Sequence, residues 1–221
     1  MRKFFLLIFA LTVFNFSFSQ RSNLKVDDTY VKNIKKIANN NKVKKAFKYI
    51  LDVEDKTNKN LIELTEIEAP PFKEEKRAME FSERLKLAGI EKVWIDSIGN
   101  VIGFLEGSIG NKNIAIDAHL DTVFPEGTDV QVRIKNDTLY APGIADDSRG
   151  LSMLLTILKT IRNNDIPLRD NLLFIGSVGE EGLGDLRGVK YLFRNGASKI
   201  DSWISIDGGS IGRVNNKGLG S

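Results

Sequence analysis

The 221-residue sequence contains no cysteine. This excludes a disulfide framework and a lipid-modified cysteine. It contains a single histidine, His119, and neither an internal repeat nor a low-complexity linker. The apolar run from Phe4 to Phe14 is short for a bilayer span and lacks a second basic flank, which argues against a permanent anchor. Positive charge is not gathered at any candidate site, as it would be in a nucleic-acid binder. The net charge is only +3, and lysines concentrate in residues 21–60, at Lys32, Lys35, Lys36, Lys42, Lys44, Lys45 and Lys48. They read as a solvated helix face, while the rest of the chain is net acidic.

What is present is globular composition, 42% hydrophobic and 28% charged, in a length that suits one domain or one and a half. Arg2 and Lys3 followed by the apolar run and Ser17-Phe18-Ser19 predict a signal peptide over residues 1–19, cut before Gln20. The expected location is therefore secreted or periplasmic, with no stable membrane association after cleavage. Residues 20–60 form a basic helical segment, and apolar spacing predicts helix through 28–68, stopped before Pro70-Pro71. Glu74 to Ala88 is a further amphipathic helix closed by Gly89.

Beyond Gly89 the pattern changes to short strands. Residues 93–95 and 101–105 flank a Gly99-Asn100 turn, 114–118 ends at His119, and 130–140 reads as a hairpin around Asn136-Asp137. A helix over Gly150 to Ile161, a strand over Leu172 to Val178, a helix over Leu186 to Phe193 and a strand over Trp203 to Ile206 follow. This alternation predicts an α/β fold: a mixed, largely parallel sheet with helices on both faces.

Three of the strands run into metal-binding side chains, His119, Glu180-Glu181 and Asp207, and Asp146-Asp147 lies in the turn before the apolar helix. Each alone has an ordinary explanation: a hydrogen-bonded histidine, a solvated acidic pair, a helix cap, a turn. Together they bring one imidazole and several carboxylates to one sheet edge, where ligands bind in open α/β folds. Such carboxylates repel unless a cation neutralises them, and nitrogen and oxygen donors without sulfur suit zinc, cobalt or manganese. Asp121, two residues beyond His119, is placed to fix the ring's tautomer.

These residues resemble the M20 family of zinc metallopeptidases. The resemblance rests on Ala118-His119-Leu120-Asp121-Thr122-Val123, Tyr140-Ala141-Pro142-Gly143-Ile144-Ala145-Asp146-Asp147, Gly179-Glu180-Glu181-Gly182 and Ile206-Asp207-Gly208, with softer matches at Ala69-Pro70-Pro71, Glu74-Glu75 and Asp96 to Asn100. It implies the N-terminal part of a zinc exopeptidase-like catalytic domain over residues 61–215, with 216–221 opening a lid domain that is absent. It implies two zinc ions per complete enzyme. His119 and Asp207 would serve one ion and Glu181 the other, with Asp146 bridging both. Glu180 would be the general base, Asp121 the orienter of His119, and the Asp146-Asp147 bond cis. A further family histidine near the C-terminus has no counterpart here, so the chain reads as a fragment, poorly active alone. Expected substrates are short peptides, or N-acyl amino acids for a deacylase of the same family, and dimerisation would run through the missing lid. A decayed, non-catalytic binding module is the alternative of another class.

Overall fold

The computed structural model describes residues 26–195, 199–209 and 212–215. The expected signal peptide over 1–19 and lid start at 216–221 lie outside them. Contacts divide the chain into two units, one up to Ile37 and one from Ala38 onward. Helix α1 (Asp28–Ala38) lies in the first but for its last residue, with Asp28 in its first turn and Lys35 and Lys36 in its last, both favourable to the helix dipole.

In the second unit, α2 (Asn41–Asp52) starts at Asn40, whose side chain accepts the Lys42 N–H, and α3 (Glu54–Thr65) follows across Val53. The helical stretch expected over 28–68 is thus three helices, interrupted where Asn40 caps and where Val53 leaves helical geometry. Helix α4 (Glu75–Leu87) buries Ala78, Phe81 and Leu85. Helix α5 (Arg149–Asn163) buries Leu151, Leu154, Leu155 and Leu158, the three- and four-residue spacing of one helical face. Helix α6 spans Arg187–Asn195.

The strands are β1 (Lys92–Ile95), β2 (Val101–Leu105), β3 (Asn113–His119), β4 (Arg133–Lys135), β5 (Thr138–Tyr140), β6 (Asn171–Ser177) and β7 (Ser202–Ser205). Five of them form a sheet in the order β1-β2-β6-β3-β7, and β4 and β5 form the separate hairpin. The β1-β2 and β2-β6 pairings are antiparallel, and the β6-β3 and β3-β7 pairings parallel, so the sheet is mixed. Alternation along the strands supplies both faces. Val101, Ala118 and Phe174 pack with the apolar faces of α3, α4 and α5, while Ile102, Ala115, Leu173 and Ile175 pack with Leu192 of α6.

This topology positions the site. Parallel pairing aligns His119 with Ser177 and Asp117 with Ser205, so β3, β6 and β7 deliver their carboxyl ends to one edge.

Candidate metal centre

His119 is the last residue of β3 and is 3% exposed. Its Nδ1 lies 3.0 Å from the carbonyl oxygen of Asp121. A carbonyl can only accept, so Nδ1 carries a proton and Nε2 is the nitrogen that faces the cluster. There Nε2 meets Asp146 Oδ1 at 2.8 Å and Asp207 Oδ1 at 3.9 Å. Ligand atoms of His119, Asp146 and Glu181 all lie within 4.8 Å of one another. One imidazole nitrogen with carboxylate oxygens is a donor set that fits a zinc-like ion.

The two acids of the Asp146-Asp147 pair do different work, and the bond between them is cis. Asp146 is half-exposed and faces the cluster. Asp147 is buried; its Oδ2 accepts the His119 backbone N–H and its Oδ1 accepts the Gly150 N–H, both at 3.0 Å. It therefore ties the end of β3 to the first turn of α5. A side chain at Gly150 would have its Cβ 2.2 Å from Asp147 Oδ1, so the contact requires glycine.

Asp121 is fully buried, and its carboxylate is taken up by the two backbone amides of the acidic pair: Glu180 N–H at 3.0 Å and Glu181 N–H at 2.9 Å. Its carboxylate lies 3.6 Å from His119 Nδ1, beyond a hydrogen bond, so the ring is oriented by the main-chain oxygen of Asp121 instead. One residue thus fixes both the imidazole and the Glu180-Glu181 turn.

The electrostatics are those of crowded acids. Burial pushes Asp147 up to about 8, with Asp207 adding to it and His119 opposing. Burial also raises Glu180 and Glu181, and for Glu181 the neighbouring Asp146 adds further. Burial works against the His119 cation, but Asp121, Asp147 and Asp146 outweigh it and raise the ring to about 10. Asp121 is held below its usual range because the His119 ring and the two glutamate amides overcome its own burial.

Sequence reasoning missed several supports. Arg77 is fully buried and donates to the carbonyl oxygens of Ile67 and Leu120 behind the site; burial lowers it to about 10, against the charges of Asp121 and Asp147. Asp117, two residues before His119 on β3, is pushed up to about 7 by burial. Asn100 accepts the Val178 N–H and donates to Asp96 and Gly188, closing the base of the loop that carries Glu180 and Glu181. A polar residue inside an otherwise apolar strand was the available signal for Asp117. No comparable pattern marks Arg77.

The fold is that of solved aminopeptidases. The Bacillus cereus aminopeptidase PepT matches with a TM-score of 0.61 and 23% identity, over 71% of this chain and 44% of that one. Residues 115–217 match the model of peptidase family M20/M25/M40. Among curated relatives, a Pyrococcus abyssi protein named "Putative LysW-lysine/LysW-ornithine hydrolase" is 38% identical over 128 residues, 58% of this chain and 34% of that protein. Carboxypeptidase G2 of Pseudomonas sp. is 37% identical over 65 residues, 28% of this chain and 15% of that enzyme. The chain spans about a third or less of these two relatives.

Proposed function

We propose that this chain is the N-terminal part of a secreted, zinc-dependent exopeptidase that hydrolyses short peptides. The observation that carries the reading is the convergence of His119, Asp146 and Glu181 ligand atoms within 4.8 Å at the carboxyl edge of the sheet. These three residues, with Asp207, would hold zinc, two ions in the complete enzyme. Zinc bound there would supply Lewis acidity toward water and the scissile carbonyl. Glu180 is the general base. Burial and neighbouring acids raise its carboxyl, so it sits closer to the working pH than an exposed glutamate. It takes a proton as the water oxygen bonds to the carbonyl carbon. It returns that proton to the amine nitrogen as the C–N bond breaks. Secretion is supported by the basic, apolar and small-residue order of residues 1–19.

A second reading, release of an amino acid from an N-acyl or carrier-bound amide, uses the same residues. The name of the Pyrococcus relative favours it. The test is hydrolysis of a di- and tripeptide panel against N-acetyl and N-succinyl amino acids by the protein extended to the length of its relatives. Peptide cleavage is expected to disappear with chelator, return with zinc, and fall on the order of 10²–10⁴-fold in Glu180→Gln. Chelator-insensitive cleavage, or no cleavage of either panel, would overturn the hydrolase reading; cleavage of the acyl panel alone would select the second.

A further inference from the structure

The loop that carries Glu180 and Glu181 leaves β6 at Val178 and enters α6 at Arg187, and its two ends are pinned together. Arg187 N–H donates to the Gly179 oxygen at 3.2 Å, and Gly188 N–H to the Val178 oxygen at 3.0 Å. The Arg187 side chain then turns back over this pinch. Its Nη2 lies 2.8 Å from both carboxylate oxygens of Glu74, which is only 4% exposed, and its guanidinium stacks 4.5 Å from the centre of the Phe72 ring. It presses so closely on Gly179 that a Cβ there would lie 1.7 Å from Arg187 Nη1; Gly179 has φ +60° as well. The loop is thereby held from two sides. Asp121 grips the Glu180 and Glu181 amides, and Arg187, anchored through Glu74 to the start of α4, grips the loop's base.

We propose that Arg187 and Glu74 form a positioning pair that sets where Glu180 and Glu181 stand relative to His119, a role separate from metal binding or proton transfer. The proposal rests on the metal-hydrolase reading for its purpose. A charge-assisted contact between a buried carboxylate and a part-buried, stacked guanidinium fixes one geometry better than a solvated ion pair does, because the carboxylate cannot turn out into water. Asp121 holds the loop's two glutamate amides and main-chain bonds close its base, and the Arg187 contact adds a tie from that base to the start of α4. The pair spans 113 residues of sequence, so it couples the α4 entry turn to the acidic loop directly.

The experiment compares the full wild-type chain with Glu74→Gln, Arg187→Met and Arg187→Lys by amide hydrogen exchange and by Co²⁺ titration. In Glu74→Gln and Arg187→Met, exchange at the Glu180 and Glu181 amides should rise at least tenfold while β6 amides keep wild-type protection. Co²⁺ affinity should fall in parallel, with an altered visible spectrum of the bound ion. Arg187→Lys, which keeps the charge, should restore part of both. Unchanged protection at Glu180 and Glu181 in either charge-removing variant overturns the proposal. Loss of the wild-type far-UV spectrum in both also overturns it, since the pair would then hold the whole fold rather than the loop. Should the wild-type chain bind no Co²⁺, the metal-hydrolase reading falls, while the exchange arm still decides the pair.

Discussion

The Asp147 carboxylate accepts the backbone N–H of His119 at 3.0 Å, so the residue next to one proposed ligand holds the main chain of another. Its second oxygen serves Gly150 at the head of α5. Replacing Asp147 by Ala leaves two N–H groups in a buried place without acceptors, which costs about 1–3 kcal/mol for each unsatisfied group. Asp147→Asn keeps one accepting oxygen and should lose about half as much. Urea unfolding of the chelator-treated chain measures both, and an Ala variant as stable as wild type would remove Asp147 from this role.

Metal affinity should depend unequally on the cluster. His119 and Asp146 are central, because His119 Nε2 contacts Asp146 directly and lies at the edge of Asp207's reach. Outer supports of metal sites typically cost about 10–100-fold in affinity when removed. His119→Ala and Asp146→Ala, as direct donors, are expected to lose at least that, and more than Asp121→Ala. Equilibrium dialysis with Zn²⁺ ranks them; equal affinities across the set would show that the ion, if bound at all, sits elsewhere.

The parts of this arrangement that were legible in the sequence are those set by short-range pattern. Strand β3 reads as Ile114 to Ala118 ending at His119 because an apolar run stops at a polar side chain, and the hairpin around Asn136 reads from its turn residues. Asn136 does take positive φ there. The supports were illegible because their partners are distant. Arg77 lies in a run of charged residues, Lys73 to Arg77, that looks like a solvent face, yet its fork reaches carbonyls of residues 67 and 120. Asn100 meets Val178, and Glu74 meets Arg187, only after the sheet has formed. The role of Asp121 was half legible: its proximity to His119 follows from spacing, but the capture of two amides sixty residues away does not.

Arg77 should therefore carry stability out of proportion to its surroundings. It is fully buried and bonded to carbonyl oxygens that would otherwise lack a donor. Hydrogen bonds to charged groups contribute about 1.5–3 kcal/mol each. Arg77→Met is expected to destabilise by about 3 kcal/mol or more, and Arg77→Lys by less, since an ammonium reaches fewer of the carbonyls. A melt of Arg77→Met within a degree of wild type would show that water replaces the guanidinium freely.

The pH dependence of stability should change sign with metal. Asp117 and Asp147 are raised to about 7 and about 8 against an ordinary value of 3.8, so the folded state holds protons that the unfolded chain has released. Their contribution is therefore present at low pH and is lost as pH rises from about 4 through 8. His119, raised to about 10 from 6.5, favours folding fully below 6.5 and loses that contribution as pH rises through 10. All three slopes point the same way, and the chelator-treated chain should melt at progressively lower temperature between pH 5 and pH 9. Protons and a divalent cation compete for the same donors, because ligands must be deprotonated to bind. With saturating Zn²⁺ the trend should flatten or reverse over pH 5 to 7, where rising pH frees His119 and the carboxylates for the ion. Calorimetric melts across that range, with and without metal, test the account. Parallel curves would mean that the acids at this sheet edge titrate independently of any bound cation.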